Sequence, residues 1–318
     1  MRIAVLANAG SGGGGKSREA LARIGSDWAA HELIGVSGYG GEELPCCLTA
    51  EKRTGYIAGL EAALERLLAE KPDFVTFVGG DGTAAYGADW LLKNGIRLPL
   101  FGIGTGTANV GPIVSENGRS PLPDPEQLEE RLLDAVEVLT EDTGHLCYAF
   151  NDLVLGNTFL GTRDGETVTL SAAELAGNGR LVPCAAVKAL GGADLSARIN
   201  GKAMALPFVP AQVIVSPIET EGFYGRAVTG LLCYTPGSPY RAALYMSPQP
   251  VISYEESSLG YTDFLPGAQL LLSAADELVF SGLDSRICAV ADGNPYLIHN
   301  GTVKLKLAAE AASVLYRR

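Results

Sequence analysis

Three apolar runs that each end at a glycine-rich turn constrain the fold of this chain more than any other feature. The runs cover residues 2–7, 73–78 and 98–103, and they have the β-branched and aromatic character of buried strands. Apolar residues recur at helical spacing between and after them. This alternation predicts a parallel sheet, because strand–helix–strand units connect parallel neighbours. The predicted helices cover about residues 17–24, 57–68 and 84–93.

From about Cys147 onward the sequence changes to short apolar runs separated by turn residues, and no segment before residue 307 has the length of a typical helix. Regular short runs are typical of antiparallel β structure. We therefore predict an α/β domain over residues 1–145 and a mainly antiparallel β domain over residues 146–318. The predicted strands of the second domain cover residues 148–155, 181–190, 212–216, 227–234, 242–246, 278–281, 287–291 and 303–307.

Two further segments concern the ends of these predicted domains. Asp124 and Pro125 form a suitable N-cap and first turn for a helix that would close the first domain. Leu307–Tyr316, near the end of the chain, is apolar enough to pack back on the first domain. The residues that would share one face of the predicted helix are Leu128, Leu132, Val136 and Leu139.

The charge and the cysteine and histidine content exclude several classes of function. With 24 basic and 36 acidic residues the formal net charge is -12, which disfavours binding to nucleic acid or to an anionic membrane surface. The 6 cysteines form no C-x-x-C pair and the 3 histidines are isolated, so we expect neither a zinc site nor a disulfide framework. The apolar run at residues 3–7 is too short for a signal peptide, which favours a cytoplasmic protein.

The segment Gly79-Gly80-Asp81-Gly82-Thr83 lies between a predicted buried strand and a predicted helix N-terminus. Its glycines allow backbone N–H groups to approach a phosphate, the helix dipole favours the anion, and Thr83 can donate a hydroxyl. A carboxylate that faces a phosphate needs a metal to compensate its charge or a role as a base. Asp81 could serve phosphoryl transfer in either way. The alternative is an ordinary turn in which Asp81 only caps the helix.

A second glycine-rich segment, Gly10–Ser17, matches the phosphate-binding pattern G-x-x-x-x-G-K-[S/T] between a strand and a helix. Four consecutive glycines supply most of this match. A P-loop enzyme also needs an aspartate at the end of another strand, and only Asp81 is suitably positioned. Three interpretations stay open: a true P-loop with Lys16 on the phosphates, a generic phosphate-contacting loop, and a glycine turn without a ligand.

Two polar segments could complete a ligand site. Gly102–Asn109 follows the third strand, and the turns at the carboxyl edge of an open parallel sheet line one crevice. Asn151 and Asp152 lie in apolar surroundings, where a polar pair must find partners, and the hydroxyls of a ligand could be those partners. A solvent-facing turn and a pair bonded to backbone are the alternatives. The neutral polar side chains of the first segment are Thr105, Thr107 and Asn109.

Together these segments are similar to those of the superfamily of NAD kinases and diacylglycerol kinases, and within it to the ATP-NAD kinase, or AcoX-type, branch. The core of the resemblance is the GGDGT turn at residues 79–83. Asn151-Asp152 stands where NAD kinases have Asn-Glu. The looser matches, which extend over most of the chain, are the opening turn at 8–15, the G-T-x-N turn at 104–109, the strand and turn at 230–238 and the x-D-G hairpin at 290–293.

The resemblance implies a Rossmann-like N-terminal domain, a mainly antiparallel β C-terminal domain, and ATP with Mg²⁺ or another divalent cation as cofactors. Asp81 would be the catalytic residue that orients or deprotonates the acceptor hydroxyl. Asn151 and Asp152 would contact the acceptor, and no residue is assigned as a dedicated metal ligand. The residues expected to contact ATP are Asn8, Gly10, Ser11, Gly12, Lys16, Gly79, Gly80, Gly82, Thr83, Thr105, Gly106, Thr107 and Asn109.

The implied reaction is phosphoryl transfer from ATP to a hydroxyl, with NAD as the favoured acceptor. Ala9 replaces the proline of the opening turn, and Asp152 is one methylene shorter than glutamate. Two alternatives therefore stay open: a kinase for a lipid, sugar or other small alcohol, and a nucleotide-binding regulatory protein without catalysis. The net charge favours a soluble acceptor over one in an anionic bilayer. The family also implies a homo-oligomer, a dimer or tetramer, with the nucleotides ATP and NAD as small-molecule partners, whereas the net charge predicts no nucleic acid or membrane partner.

Overall fold

A computed structural model of the chain describes residues 1–8, 14–106, 109, 111–117, 121–142, 144–163, 166–218, 239–252 and 266–318. The chain divides into two compact units. Unit 1 comprises Met1–Leu133 together with Glu310–Arg318, and unit 2 comprises Asp134–Ala309. No helix in the described parts of the chain is long and apolar enough to cross a bilayer.

Unit 1 contains the predicted parallel sheet and its helices, so the predicted α/β fold is confirmed. Its strands are β1 (Arg2–Ala7), β2 (Glu32–Val36), β3 (Cys46–Leu48), β4 (Phe74–Gly79), β5 (Leu100–Gly104) and β6 (Val114–Glu116), and its helices are α1 (Gly15–Asp27), α2 (Tyr56–Leu68) and α3 (Asp81–Lys93). Neighbouring strands follow the order β3-β2-β1-β4-β5, with β6 beside β5. The direction in which the chain crosses the sheet therefore reverses between β1 and β4.

The centre of unit 1 is apolar because its middle strands are flanked by other strands and contacted by helices. β1 and β4 are buried over almost their whole length, as is typical of parallel strands. Trp28, which directly follows α1, is fully buried, and its ring centroid lies 6.0 Å from that of Phe74 and 5.5 Å from that of Phe101. Its indole N–H donates to the carbonyl of Pro123 at 2.8 Å. This packing fixes the helix against the strands whose ends form the candidate site.

Unit 2 is built mainly from antiparallel strands, as predicted. β7 begins before the unit and β20 ends after it. The strands are β7 (Leu128–Thr140), β8 (Gly144–Ala149), β9 (Leu153–Gly156), β10 (Thr158–Arg163), β11 (Glu166–Ser171), β12 (Gly191–Ile199), β13 (Lys202–Met204), β14 (Gln212–Pro217), β15 (Ala242–Ser247), β16 (Ala268–Leu272), β17 (Glu277–Leu283), β18 (Cys288–Ala291), β19 (Asn294–Leu297) and β20 (Thr302–Arg317), and the short helix α4 spans Ala172–Asn178.

Six of these strands form one sheet in the order β16-β15-β14-β9-β18-β19, and β10 and β11 form a separate hairpin. β9 pairs with β18 in antiparallel register, with Leu153 opposite Ala291. This register brings the turn that precedes β9 next to the turn that follows β18. Strand pairing thus determines which polar residues of unit 2 become neighbours.

The last residues of the chain belong to unit 1. Val314, near the end of β20, pairs in parallel with Leu100 at the start of β5. Leu315 and Tyr316 are buried, with 9% and 4% of their surface exposed. The end of the chain is therefore part of the structure that carries the third glycine-rich turn.

The prediction of a helix over Asp124–Leu139 is wrong. Asp124 caps only a single turn of 3-10 helix at Pro125–Gln127, and the chain then continues as β7. The buried residues Val136 and Val138 lie in the part of β7 that pairs with β8. Leucine and glutamate favour helices locally, but pairing with a neighbouring strand outweighs so small a preference.

Three predicted strands of the second domain have a different outcome. The strand predicted over residues 148–155 is interrupted by a turn at 150–152, between β8 and β9. Residues 181–190 form no strand and make only one isolated bridge, between Pro183 and Leu170. Proline lacks an N–H and cannot take part fully in a central ladder, which explains the irregular course of this segment. The predicted strand at residues 227–234 lies outside the described residues, as does the segment at 230–238 that resembles the kinase superfamily.

Candidate active site

The reversal of strand order in unit 1 brings together the turns that follow β1 and β4. Ligands of open parallel sheets bind at such a reversal, outside the carboxyl ends of the strands. The Asn8 N–H, directly after β1, donates to the carbonyl of Val78 on β4 at 2.8 Å. The Asn8 side chain donates to Thr83 Oγ1 in α3 at 3.1 Å. The first two predicted turns are thus joined through both main chain and side chain.

The third turn is bonded to the second. The Thr105 N–H donates to the Gly79 carbonyl at 2.8 Å. A Cβ on Gly106 would lie 3.0 Å from the Cα of Gly80, so the two glycine backbones approach more closely than residues with side chains allow. This close approach presents main chain rather than side chains to a ligand, which is what a phosphate-binding turn requires.

Asp81 is the first residue of α3, and Gly80 at the N-cap position offers no side chain to the helix end. The helix dipole favours a negative charge at this position. A Cβ on Gly111 would lie 3.0 Å from both Cγ and Oδ1 of Asp81. The carboxylate therefore packs against bare backbone at Gly111, and this contact limits where it can point. Gly82 follows in the same helical turn.

Ser17 occupies the position that a P-loop would use to bind magnesium, but here it has a structural role. The side chain is buried, with 2% of the residue exposed, and its hydroxyl donates to the Asn8 carbonyl at 3.2 Å. The same hydroxyl lies 3.0 Å from Thr105 Oγ1. It thereby links α1 to the first and third turns, while the neighbouring Lys16 is exposed. The Ser17 hydroxyl is therefore used in bonds within the protein, and residues 9–13 of the loop lie outside the described residues.

Tyr56 is a part of the site that the sequence did not indicate. Its hydroxyl lies 3.3 Å from Thr83 Oγ1, so Thr83 is contacted by both Asn8 and Tyr56. The tyrosine as a whole is 49% exposed, but its hydroxyl end is desolvated, which raises its pKa, and the hydrogen bond with Thr83 opposes this rise. No glycine motif or local charge pattern marks a tyrosine at the start of α2 as a site residue.

Asn109 covers the third turn from outside. Its Nδ2 donates to the Gly106 carbonyl at 3.3 Å, and a Cβ on Gly104 would lie 2.6 Å from its Cγ. Glycine at position 104 therefore leaves the space that the amide fills. The structure places Asn109 at the predicted turn, as a side chain that fixes the main chain around Gly106.

Unit 2 holds the predicted pair Asn151 and Asp152 in the turn between β8 and β9. The carboxylate of Asp292, in the turn between β18 and β19, accepts three main-chain N–H groups from this segment. The donors are Phe150 at 2.8 Å, Asn151 at 2.7 Å and Asp152 at 2.9 Å. The Asp292 N–H in turn donates to the Asp152 carbonyl at 2.9 Å. One aspartate therefore determines the conformation of the whole polar segment.

The electrostatics of this turn are unfavourable for two ionised carboxylates. Asp292 is only 9% exposed, and burial together with the nearby charge of Asp152 raises the pKa of Asp292 to about 7, whereas the three N–H donors oppose the rise. Asn151 Nδ2 donates to Asp152 Oδ2 at 3.4 Å. Asn151 Oδ1 is buried without a hydrogen-bond partner among the described residues, so it can accept a hydrogen bond from a ligand.

Several predicted site residues have no structural description. Gly10, Ser11, Gly12 and Thr107 lie outside the described residues, and so does Ala9. Within the described ranges, no three His, Cys, Asp or Glu side chains form a group that could hold a metal ion.

Comparison of the sequence with known proteins yields little. The chain matches no protein-family model. An uncharacterized protein of Archaeoglobus fulgidus is 35% identical over 100 residues, which cover 31% of this chain and 29% of the archaeal protein. The match thus spans less than a third of that relative, and the relative's name states no activity.

Comparison of the fold is more informative. The chain is similar to a crystal structure of a diacylglycerol kinase from Bacillus anthracis, with a TM-score of 0.56, 13% identity and coverage of 99% of this chain and 96% of the other. It is also similar to yeast NADH kinase in complex with NADH, with a TM-score of 0.53, 13% identity and coverage of 99% and 82%. At this identity the likeness concerns the fold. The predicted resemblance is confirmed at that level: over nearly its whole length the chain shares its fold with these two kinases.

Proposed function

We propose that this protein is a kinase that transfers the terminal phosphoryl group of ATP to an alcohol hydroxyl, and that NAD, phosphorylated on the 2'-hydroxyl of its adenosine ribose, is the favoured acceptor. One observation supports the proposal most. Glycine-rich turns meet at the strand-order reversal of unit 1, and the carboxylate of Asp81 lies at the same place.

In this proposal unit 1 binds the phosphates of the donor. The backbones of Gly80 and Gly106 approach without side chains, which allows N–H groups to reach phosphate oxygens. Thr83 contributes a hydroxyl whose orientation is fixed by Asn8 and Tyr56. Phosphoryl transfer needs chiefly positioning and charge stabilisation, so a rigid set of turns is suited to it. Asp81 would orient the acceptor hydroxyl and take its proton.

A divalent cation is compatible with these residues. The Asp81 carboxylate and the Thr83 hydroxyl are hard oxygen donors of the kind that Mg²⁺ prefers, and Asp81 is the residue that would hold the ion together with the donor phosphates. When bound, the ion would neutralise charge on the phosphates. The residues of unit 1 would hold the phosphates and limit the directions in which Asp81 can point.

Unit 2 would bind the acceptor. The buried Asn151 Oδ1 can accept a hydrogen bond from an acceptor hydroxyl or amide. The Asp152 carboxylate can accept another, while Asp292 holds the main chain of the pair in place. A ribose and a carboxamide offer donors of this kind, and for this reason NAD is the favoured acceptor. The shorter side chain of Asp152, compared with glutamate, is compatible with a bond through a bridging water.

A lipid alcohol is the second candidate acceptor, because a structure with this fold is named a diacylglycerol kinase and has a TM-score of 0.56 to this chain. The formal net charge of -12 weighs against work at an anionic bilayer.

The test is an acceptor screen with the full chain, Mg²⁺ and ATP labelled in its terminal phosphate. NAD, NADH and dispersed diacylglycerol are offered separately, and nucleotide binding is measured in parallel. We expect label in NADP. Label in phosphatidate alone would replace NAD by the second candidate. Nucleotide binding without transfer to any acceptor would contradict the kinase proposal and favour a regulatory protein.

A further inference from the structure

The carboxylate of Asp81 packs on a short segment, residues 111–114, that also lies in close contact with β5. Gly111 contacts the carboxylate so closely that a Cβ there would lie 3.0 Å from Cγ and Oδ1 of Asp81. On the other side, a Cβ on Gly102 of β5 would overlap the main chain of Ile113 and Val114. The segment thus contacts β5 through Ile113 and Val114 and the Asp81 carboxylate through Gly111.

The same segment is bonded to the end of the chain. The Tyr316 hydroxyl donates to the carbonyl of Pro112, the residue next to Gly111. Tyr316 is only 4% exposed, and the guanidinium of Arg131 lies over its ring at 5.0 Å from the centroid. The hydrogen bond is therefore made in a shielded position, where it is stronger than at a water-exposed surface.

A second bonded contact lies one residue further along the chain. Arg317 Nε is 2.8 Å from Glu116 Oε1, and the side chain of Glu116 is only 9% exposed. Arg317 Nη2 also donates to the carbonyl of Pro121 at 2.8 Å. Tyr316 and Arg317 thus hold the chain after β5 at two points. Tyr316 bonds to Pro112, next to Gly111, and Arg317 bonds to Pro121, beyond β6.

We propose that Tyr316 and Arg317 are positioning residues for Asp81, acting through the main chain of residues 111–116. The inference rests on the proposed function in one respect, namely that Asp81 is the residue whose orientation matters for turnover. Neither side chain needs to touch a substrate for this role. Tyr316 fixes the Pro112 carbonyl, and Arg317 fixes the far end of the same segment through Glu116.

The physical reason is the small tolerance of a reacting group for displacement. Productive geometry is held to about 0.5 Å, and a displacement of about 1 Å can cost about 100-fold in rate. If the hydroxyl of Tyr316 is removed, the Pro112 carbonyl loses a buried partner and residues 111–116 gain alternative conformations. Asp81 then loses the surface that limits its orientation, whereas the glycine turns that contact phosphates remain bonded to each other.

The test uses Tyr316→Phe, which keeps the ring under Arg131 and removes only the hydroxyl. The matched control is Tyr86→Phe, which removes a tyrosine hydroxyl that bonds α3 to Glu61 of α2 at 2.6 Å in the same unit. In Tyr316→Phe we expect kcat to fall about tenfold while KM for ATP stays within about twofold of the native value. In the control we expect no fall in kcat relative to KM. Amide hydrogen exchange in residues 111–117 should become faster in Tyr316→Phe only.

Arg317→Lys gives an independent check, because it keeps the charge and loses the two-pronged contact with Glu116 and Pro121. We expect it to lower kcat and protection of the same amides in the same direction. Unchanged exchange in residues 111–117 of Tyr316→Phe would overturn the proposal. Faster exchange with unchanged kcat would overturn the link to Asp81.

Measurements that need no turnover, namely amide exchange and NMR, separate this inference from the proposed function. If the native chain transfers phosphate to no acceptor, the proposed kinase function fails while the positioning claim can still be judged. In that case the ¹³C resonance of the Asp81 carboxyl, measured by NMR, tests whether Tyr316 positions Asp81. A changed resonance in Tyr316→Phe, absent in Tyr86→Phe, would support positioning of Asp81, and an unchanged resonance would refute it.

Discussion

The substitution Asp292→Asn tests the electrostatics of the turn that carries Asn151 and Asp152. Asn has nearly the shape of Asp but cannot ionise. It keeps one acceptor oxygen for the three main-chain N–H groups that the carboxylate now serves. A buried N–H without an acceptor costs about 1–3 kcal/mol, so we expect the variant to be destabilised at low pH.

The sign of the pH dependence follows from the raised pKa. Asp292 has a pKa of about 7 in the folded chain, against 3.8 for an ordinary aspartate. Between these values the folded state retains a proton that the unfolded state has lost. The resulting stabilisation is complete below the unfolded pKa and disappears as pH rises through about 7. At 1.36 kcal/mol per pKa unit the whole effect is about 4 kcal/mol as an upper value.

The assay is urea unfolding of the native chain and of Asp292→Asn at a series of pH values from 4 to 8. We expect the stability advantage of the native chain over the variant to shrink as pH rises from 4 to 7, and then to level off. Asp276→Asn is a matched control in the same unit, because bonds from Asn200 and Ser273 lower the pKa of Asp276. This contribution is lost only as pH falls below the ordinary value of 3.8, so the stability difference between the native chain and Asp276→Asn should stay constant between pH 4 and 8. An advantage of Asp292 that is constant or grows with pH would show that the pKa of Asp292 is not raised, since the three N–H donors would then keep the carboxylate ionised throughout.

Three further substitutions test the site in unit 1. Gly111→Ala puts a Cβ 3.0 Å from the Asp81 carboxylate, so the carboxylate must shift by a few tenths of an ångström. We expect this shift to lower kcat about tenfold with little change in the melting temperature. Tyr56→Phe removes the hydroxyl next to Thr83 and should weaken nucleotide binding about fivefold in calorimetric titration, with a smaller effect on kcat. Lys16→Ala should lower kcat less than about tenfold, because Lys16 is exposed. A fall in kcat of about 1,000-fold would favour the P-loop interpretation.

The architecture of unit 1 was predictable because its strands are continuous apolar runs and its helices carry apolar residues at regular spacing. β1, β4 and β5 are buried along almost their whole length, so burial leaves a direct imprint on the sequence. The segment over Asp124–Leu139 shows the limit. Its leucines have helical spacing, but β7 pairs both with β8 and with β20, and β20 is so far along the chain that a local residue pattern does not encode the pairing.

The candidate site was predictable only in part, for a similar reason. Glycine clusters mark the turns, and the turns after β4 and β5 do meet, as the bond between Thr105 and Gly79 shows. The contributions of Tyr56 and Gly111 depend on distances between residues far apart in the sequence, and no local pattern signals them. Asp292 stood in a recognised x-D-G segment, but its three bonds to the turn before β9 follow from strand register.

The proposed role of Asp81 is to enable phosphoryl transfer from ATP to a hydroxyl acceptor. The most direct measurement is an end-point assay for NADP formed from NAD, ATP and Mg²⁺ by the native chain, by Asp81→Asn and by Asp73→Asn. Asp73 is an exposed aspartate directly before β4, at the opposite end of the strand that leads to Asp81, and it serves as the matched control. We expect NADP from the native chain and from Asp73→Asn, and a loss of about 100-fold to 10,000-fold in Asp81→Asn with the fold intact. Undiminished NADP formation by Asp81→Asn would contradict the proposed role of Asp81.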